Sequence, residues 1–363
     1  MTAPLPPIVS ELIDASRHGF QPLSSAEFGD GYALRHGLPF CVSDALLRQA
    51  HVARVLDGLA QLLELDGAFQ RAGLAHVWLK GPAFAQWIYG DPGARRFSDL
   101  DLLVRPVDRD AALHHLEAIG FERRIRSQAG EVIYASIGAW PLARPGRLGI
   151  DLHWQPAGRR FPRVLTADDV IDAAQVIAVA GRSVPVPEPD HAAVMHLSHS
   201  AKHLWYALEH TLSTAMLMRR SDIDWARVRR LLSEAEAIRA GAAGLQLAAE
   251  LYEVQVPASF AADVKLKDVV DLCQAARASL SLPPGAFPDR RLDRHIQLLC
   301  FDRRVDRWRY EIRRVTEPTQ ADWEWCPVAA RLSMAYWPIR LVRLAAMQLG
   351  WSDGAPRNGS RDR

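Results

Sequence analysis

Three aspartates and a lysine set the chemistry open to this chain. In the stretch KGPAFAQWIYGDPGARRFSDLDLLV, Lys80 to Val104, a D-x-D pair (Asp99 and Asp101) sits inside an apolar run. Alternate residues of a strand point to one face, so both carboxylates project together while Leu100, Leu102 and Val104 turn to the core. Two carboxylates side by side repel, and a divalent cation between them relieves the cost. Upstream, Gly81-Pro82 suits the start of a helix, whose free N–H groups can hold phosphate. Carboxylates for a cation beside a phosphate cradle point to Mg²⁺ and a nucleotide.

A third acid, Asp151, extends the pattern. Residues 131–140 and 147–154 read as two strands joined by the turn-rich PLARPG. In the second, Gly149, Asp151 and His153 share one face, and Leu148, Ile150, Leu152 and Trp154 the other. Asp151 reaches the surface of Asp99 and Asp101 if its strand lies beside theirs. Lysine occurs only at Lys80, Lys202, Lys265 and Lys267, against forty arginines, which draws attention to Lys80 at the phosphate end of a strand. Its plain alternative is a side chain snorkelling from a sheet edge.

The order K-G, then R-x-x-x-D-x-D-x-L-V, then I-D-L-H-W resembles a bacterial family of largely uncharacterised nucleotidyltransferases in the DNA polymerase beta-like superfamily. The resemblance spans roughly residues 45–345, and its specificity lies in these short motifs. It implies an α/β (α+β) palm with a mixed sheet, followed by an all-helical accessory domain. It also implies Mg²⁺, as two ions held by Asp99, Asp101 and Asp151, and a nucleoside triphosphate as donor. Lys80, Gly81, Arg95 and Ser98 would contact the nucleotide, with Arg96 as close as Arg95. His153, His199, Lys202 and His203 would face the acceptor. Many superfamily members carry Gly-Ser where this chain has Lys80-Gly81.

The elements that must position these groups follow from periodicity. Residues 1–42 read as an irregular lead-in in which a small helix could form. Ser43 to Leu74 has a helical apolar period, with Ser43 or Asp44 as its cap. The palm then runs to residue 188: strand 76–80, helix 82–90, strand 98–104, helix 108–119, and strands near 121–126, 131–139 and 147–154. Thr166 opens another helix. The proline-rich GRSVPVPEPD marks the boundary, residues 189–350 read as the helical domain, and 351–363 as a disordered tail.

Within the helical part, His196, His199 and His203 share one helix face. At 1.5 Å per residue they spread over about 10 Å, too far for one ion to take all three. Arg290 to Arg314 holds nine arginines with Trp308 and Tyr310 between them. The acids Asp293, Asp302, Asp306 and Glu311 are spaced for intrahelical pairs, so a solvated, salt-bridged helix is expected, with an anionic substrate as the other occupant considered. Residues 328–349 are apolar but interrupted by Arg331, Pro338, Arg340 and Arg343. They read as a packed helix, not a span, with a helix lying on a membrane surface as the alternative.

Composition narrows the function. The 363 residues have a formal charge of +2, which gives no pull toward long nucleic acid, so a small-molecule or peptide acceptor is expected. Cys41, Cys273, Cys300 and Cys326 form no C-x-x-C pair, so neither zinc nor a disulfide framework is indicated. The first residues lack a basic and then apolar leader, and a cytoplasmic protein is expected. Two other readings are an antitoxin-like enzyme adding AMP to a protein, and a nucleotide-binding scaffold without catalysis.

Overall fold

The computed structural model describes residues 5–17, 26–124, 130, 133–134, 137–156, 165–286 and 289–348. Helices α1 (Pro7–Arg17) and α2 (Ala26–Arg35) precede the long α3 (Ala45–Arg71). The α3 start is fixed by Asp44, whose carboxylate accepts the N–H groups of Leu46 and Leu47. Then come β1 (His76–Trp78), α4 (Gly81–Tyr89), β2 (Asp99–Val104), α5 (Arg109–Ala118), β3 (Glu122–Arg123), β4 (Ala139–Ala143) and β5 (Gly149–His153). Helix α6 (Ala167–Asp172), opened by a Thr166–Asp169 capping box, leads to the hairpin of β6 (Gln175–Val179) and β7 (Arg182–Val186).

Among the described residues, five strands form one mixed sheet in the order β1-β2-β5-β4-β3. β2 runs antiparallel to β1 and parallel to β5. Among the described residues of the strand expected over 131–139, only Ala139 at its end is strand; 131–132 and 135–136 lie outside them. Ile133 and Tyr134 are helical, Ile137 and Gly138 turn, and β4 continues through Pro141 to Ala143, so half of PLARPG is strand. The remaining turn is the tighter Arg144–Gly146, with Gly146 at φ +73°.

Alternation in β2 divides its neighbours. Leu100, Leu102 and Val104 join Leu62, Leu65 and Phe69 of α3 and Leu113 and Leu116 of α5 in one core. Leu103 instead packs with Val77, Leu79, Ala167, Val170 and Met195. Truncating Leu102, fully buried, to alanine is expected to cost about 2–5 kcal/mol. Two polar anchors set the strands against α3. The buried Gln61 side chain donates to Leu148 O (2.9 Å) and accepts Leu148 N–H (3.0 Å), which holds the start of β5. Asp66 accepts from His76 Nε2 (2.9 Å) and Trp78 Nε1 (3.1 Å), which holds β1.

Beyond the hairpin the chain is helical: α7 (Pro189–Lys202), α8 (Leu208–Met218), α9 (Trp225–Glu234), α10 (Ile238–Tyr252), α11 (Lys267–Leu280), α12 (Arg290–Leu299), α13 (Arg304–Thr316), α14 (Gln320–Trp325) and α15 (Tyr336–Gln348). Val9, Leu12 and Ile13 of α1 pack with Leu208, Leu212, Leu251 and Tyr252, so the first helix docks on α8 and α10. At the other end Tyr336, fully buried, enters the core beneath the sheet. None of the helices among the described residues is long and apolar enough to cross a membrane. The tail 351–363 lies outside the described residues.

Candidate active site

The parallel register of β2 and β5 sets Asp101 directly opposite Asp151, and Leu103 opposite His153. Asp99 and Asp101 share the β2 face that carries Leu103 toward α6 and α7, so the acids look at the helical half of the molecule. Asp101 is the centre of the group. Its Oδ1 accepts from Lys80 Nζ at 2.9 Å and meets His153 Nε2 at 3.0 Å. Ser98 Oγ donates to Asp99 Oδ1 at 3.2 Å.

Local sequence explains how Lys80 arrives there. Leu79 N–H donates to Asp101 O at 3.0 Å, which extends the β1–β2 pairing to the residue before the lysine. Lys80 then caps α4, and Gly81 turns the chain with φ +67°. A Cβ at Gly81 would be in ordinary contact with Asp99 O, so backbone conformation is what favours glycine there. The N-terminus of α4 thus opens beside the acids.

Electrostatics at the acids are uneven. Burial and the neighbouring Asp101 and Asp151 charges push the Asp99 carboxyl up to about 6. Asp151 is raised by burial and by Asp101. Burial also opposes the Asp101 charge, but Lys80 and His153 outweigh it and hold this carboxyl well below the usual range. Burial opposes the Lys80 charge too, and Asp101, Asp99 and Asp151 more than compensate.

A cavity of about 380 Å³ adjoins Lys80 and His153. Arg95, His199 and Lys202 line it from the family-motif and α7 sides, and Tyr310, Arg313, Arg314 and Arg340 from the last third of the chain. Arg95 Nε lies 3.7 Å from Glu209 Oε2, with its guanidinium over the Phe84 ring. Arg96 turns away and donates to Leu34 O at 2.8 Å. His203 caps the end of α7 and stacks on His210, outside the cavity lining. His199 lies 4.4 Å from it, ring centre to ring centre, and burial holds the His199 imidazole well below its ordinary value. His196 is tied to His210 O and Thr214 Oγ1, a packing role within the helical half.

The arginine-rich stretch keeps the pairs its spacing predicts: Arg309–Asp306 at 3.0 Å, Arg314–Glu311 at 3.4 Å and Arg313–Glu317 at 3.6 Å. That Arg313 and Arg314 also line the cavity could not be read from spacing. The signal lay in the basic residues interrupting residues 328–349. Arg340 and Arg343 converge on Asp322, which is fully buried, at 3.0 and 2.7 Å. Arg340 also donates to Arg314 O at 3.2 Å, which ties α13 to α15.

Among the described residues, Asp101, Asp151 and His153 bring ligand atoms within 4.8 Å of one another. Two carboxylates, a third two residues away, and a lysine ammonium on the central one form a set that a hard divalent cation fits. A search among functionally curated proteins finds no match for the chain. A family model described as an uncharacterised nucleotidyltransferase matches residues 35–253. That stretch runs from the end of α2 through the sheet, its acids and helices α7 to α10, more than half of the sequence. The chain therefore belongs to this family of nucleotidyltransferases.

Proposed function

We propose that the protein transfers a nucleoside monophosphate, with Mg²⁺, from a nucleoside triphosphate to a hydroxyl or phosphate oxygen of a small-molecule or peptide acceptor. The palm (residues 43–188) handles the nucleotide, and the helical part (189–350) faces the acceptor. What carries this reading is the register that sets Asp101 opposite Asp151, two residues from Asp99, in a chain of this family. Asp99, Asp101 and Asp151 would hold two Mg²⁺ ions, which when bound would supply charge stabilisation to the attacking and leaving oxygens.

The acceptor oxygen attacks the α-phosphorus, the bond to the bridging oxygen of the β-phosphate breaks, and pyrophosphate leaves with that electron pair. Asp151 lies on the acceptor side, and its raised carboxyl suits it to take the acceptor proton. Lys80 occupies a cation's place on Asp101, and in the loaded enzyme it turns to the triphosphate at the α4 N-terminus. Gly81 lets the phosphates approach, Ser98 orients Asp99, and Arg95 faces the nucleotide.

The test is calorimetry of the four nucleoside triphosphates, with and without Mg²⁺, on wild type and on Asp99→Ala/Asp101→Ala. Metal-dependent binding that disappears in the double variant is expected. Equal binding by both proteins would remove the acids from the site.

A further inference from the structure

The cavity is polarised. On the sheet side it is lined by Lys80 and His153, both bonded to Asp101 behind them, and the helices add Lys202 of α7 and Arg313 and Arg314 of α13. Among its described lining residues the one carboxylate is Glu317, set against Lys80, Arg95, Lys202, Arg313, Arg314 and Arg340. Three of these cations are already committed, Lys80 to Asp101 at 2.9 Å among them. Arg95 is largely buried beside Glu209, the only carboxylate set against it, at 3.7 Å, among the described residues, and Arg340 is locked by Asp322 and Arg314 O. Arg313 and Arg314 are different. Their carboxylate partners stand at 3.6 and 3.4 Å, and their side chains remain 46% and 47% exposed. Contacts this exposed are worth little and give way readily to a better anion.

Position separates this group from the nucleotide's own. Lys202 is among the charges felt by Asp151, the acid on the acceptor side. Lys80 bonds Asp101 at the α4 N-terminus, where the triphosphate belongs. The α13 arginines also lie beyond residues 35–253, the stretch that the family model matches. Lys202 lies inside the matched stretch with the donor-handling acids, and the two arginines come from the chain's last third.

We propose that Arg313, Arg314 and Lys202 form a phosphate-binding subsite, so that the acceptor is a small molecule carrying a phosphomonoester. Two guanidinium groups and an ammonium lining one cavity match the charge of a phosphate dianion and can donate to its oxygens. The phosphomonoester serves as the handle, and another oxygen of the same molecule attacks. This assignment rests on the nucleotidyl-transfer reading for the nature of the reaction, but its binding test does not.

Calorimetry of the full chain with inorganic phosphate and with glycerol 3-phosphate tests it. Each probe is titrated with and without Mg²⁺ and a non-hydrolysable nucleoside triphosphate, on wild type and on Arg313→Gln/Arg314→Gln. The expected result is phosphate binding in wild type that weakens about tenfold or more in the variant, with triphosphate affinity changed less than about twofold. Both arginines are half exposed, and a thermal melt checks that the variant folds as wild type does. A parallel loss of triphosphate affinity would reassign the arginines to the donor. Wild type that binds succinate but neither phosphate probe would replace phosphate by carboxylate and overturn the proposal, as would phosphate binding indifferent to the substitutions. If wild type binds phosphate through these arginines but binds no Mg²⁺-triphosphate, the transferase reading fails and the subsite stands.

Discussion

The cationic wall of the cavity and the acid wall behind Lys80 and His153 are built in opposite ways. The acid wall comes from six residues of one strand and five of its parallel neighbour, and register alone brings Asp101 and Asp151 together. The cationic wall is collected from α7, α13 and α15, and its order depends on buried joints behind it, chiefly Asp322 with Arg340 and Arg343. One wall is strained where the chemistry happens, with like charges pressed together. The other holds its strongest ion pairs in its supports and leaves weak ones at the surface.

Removing a support should separate the two walls most sharply. Asp322→Ala leaves two buried arginines without a carboxylate and is expected to cost about 3–5 kcal/mol, read by urea denaturation. In the surviving folded fraction it should loosen acceptor binding and leave metal binding intact. Asp101→Asn should do the reverse, lowering kcat roughly 10²–10³-fold with the fold retained. A pyrophosphate-release assay beside a thermal melt would show it. If either variant weakened both functions equally, the walls would not be separable.

Acidity should also distinguish them. The helical half holds His36 and His196 as neutral imidazoles, pushed down to about 3 by burial. His36 Nδ1 accepts Leu208 N–H, a bond that protonation would break. The unfolded chain takes up these protons near 6.5 and the folded chain resists until about 3, so stability falls as pH drops through that window. By pH 5.5 the loss should reach about 1 kcal/mol per histidine relative to pH 7.5, read from denaturation midpoints. Asp99 has the opposite slope in metal-free protein. Its carboxyl is raised to about 6, so its ionisation erodes stability as pH rises from about 4 to 6. The smallest effect is expected from Arg105→Ala. Arg105 bridges Asp168 and Asp172 at the protein surface, outside the cavity lining. Its loss should cost less than about 1 kcal/mol and leave pyrophosphate release unchanged.

The acid wall was legible because strand alternation and spacing are local. Asp99, Asp101, Asp151, Lys80 and the α4 start could be placed from residue types, while the assumed adjacency of the two strands needed the fold. The choice between Arg95 and Arg96 also needed it, since the two differ only in where a loop turns them. The cationic wall was legible only in part: Lys202 was expected to face the acceptor, and an anionic substrate was the alternative for the arginine-rich stretch. Arg313 and Arg314 satisfy helical pairing rules whether or not a cavity lies beneath them. Of the strand expected at 131–139, residues 131–132 and 135–136 lie outside the described residues, and among the others only Ala139 is strand.

Tyr336 has a consequence in time. It closes the core first laid down by Leu62, Leu65 and Phe69, almost the whole length of the chain earlier. At ribosomal speeds of about 5–20 residues per second, roughly 15–60 s separate the synthesis of the two. During that interval the sheet and its carboxylates can assemble over a gap in their own interior. The nascent chain must therefore be kept from aggregating until its final helix emerges, and a chain cut short before residue 336 is expected to be cleared instead of stored.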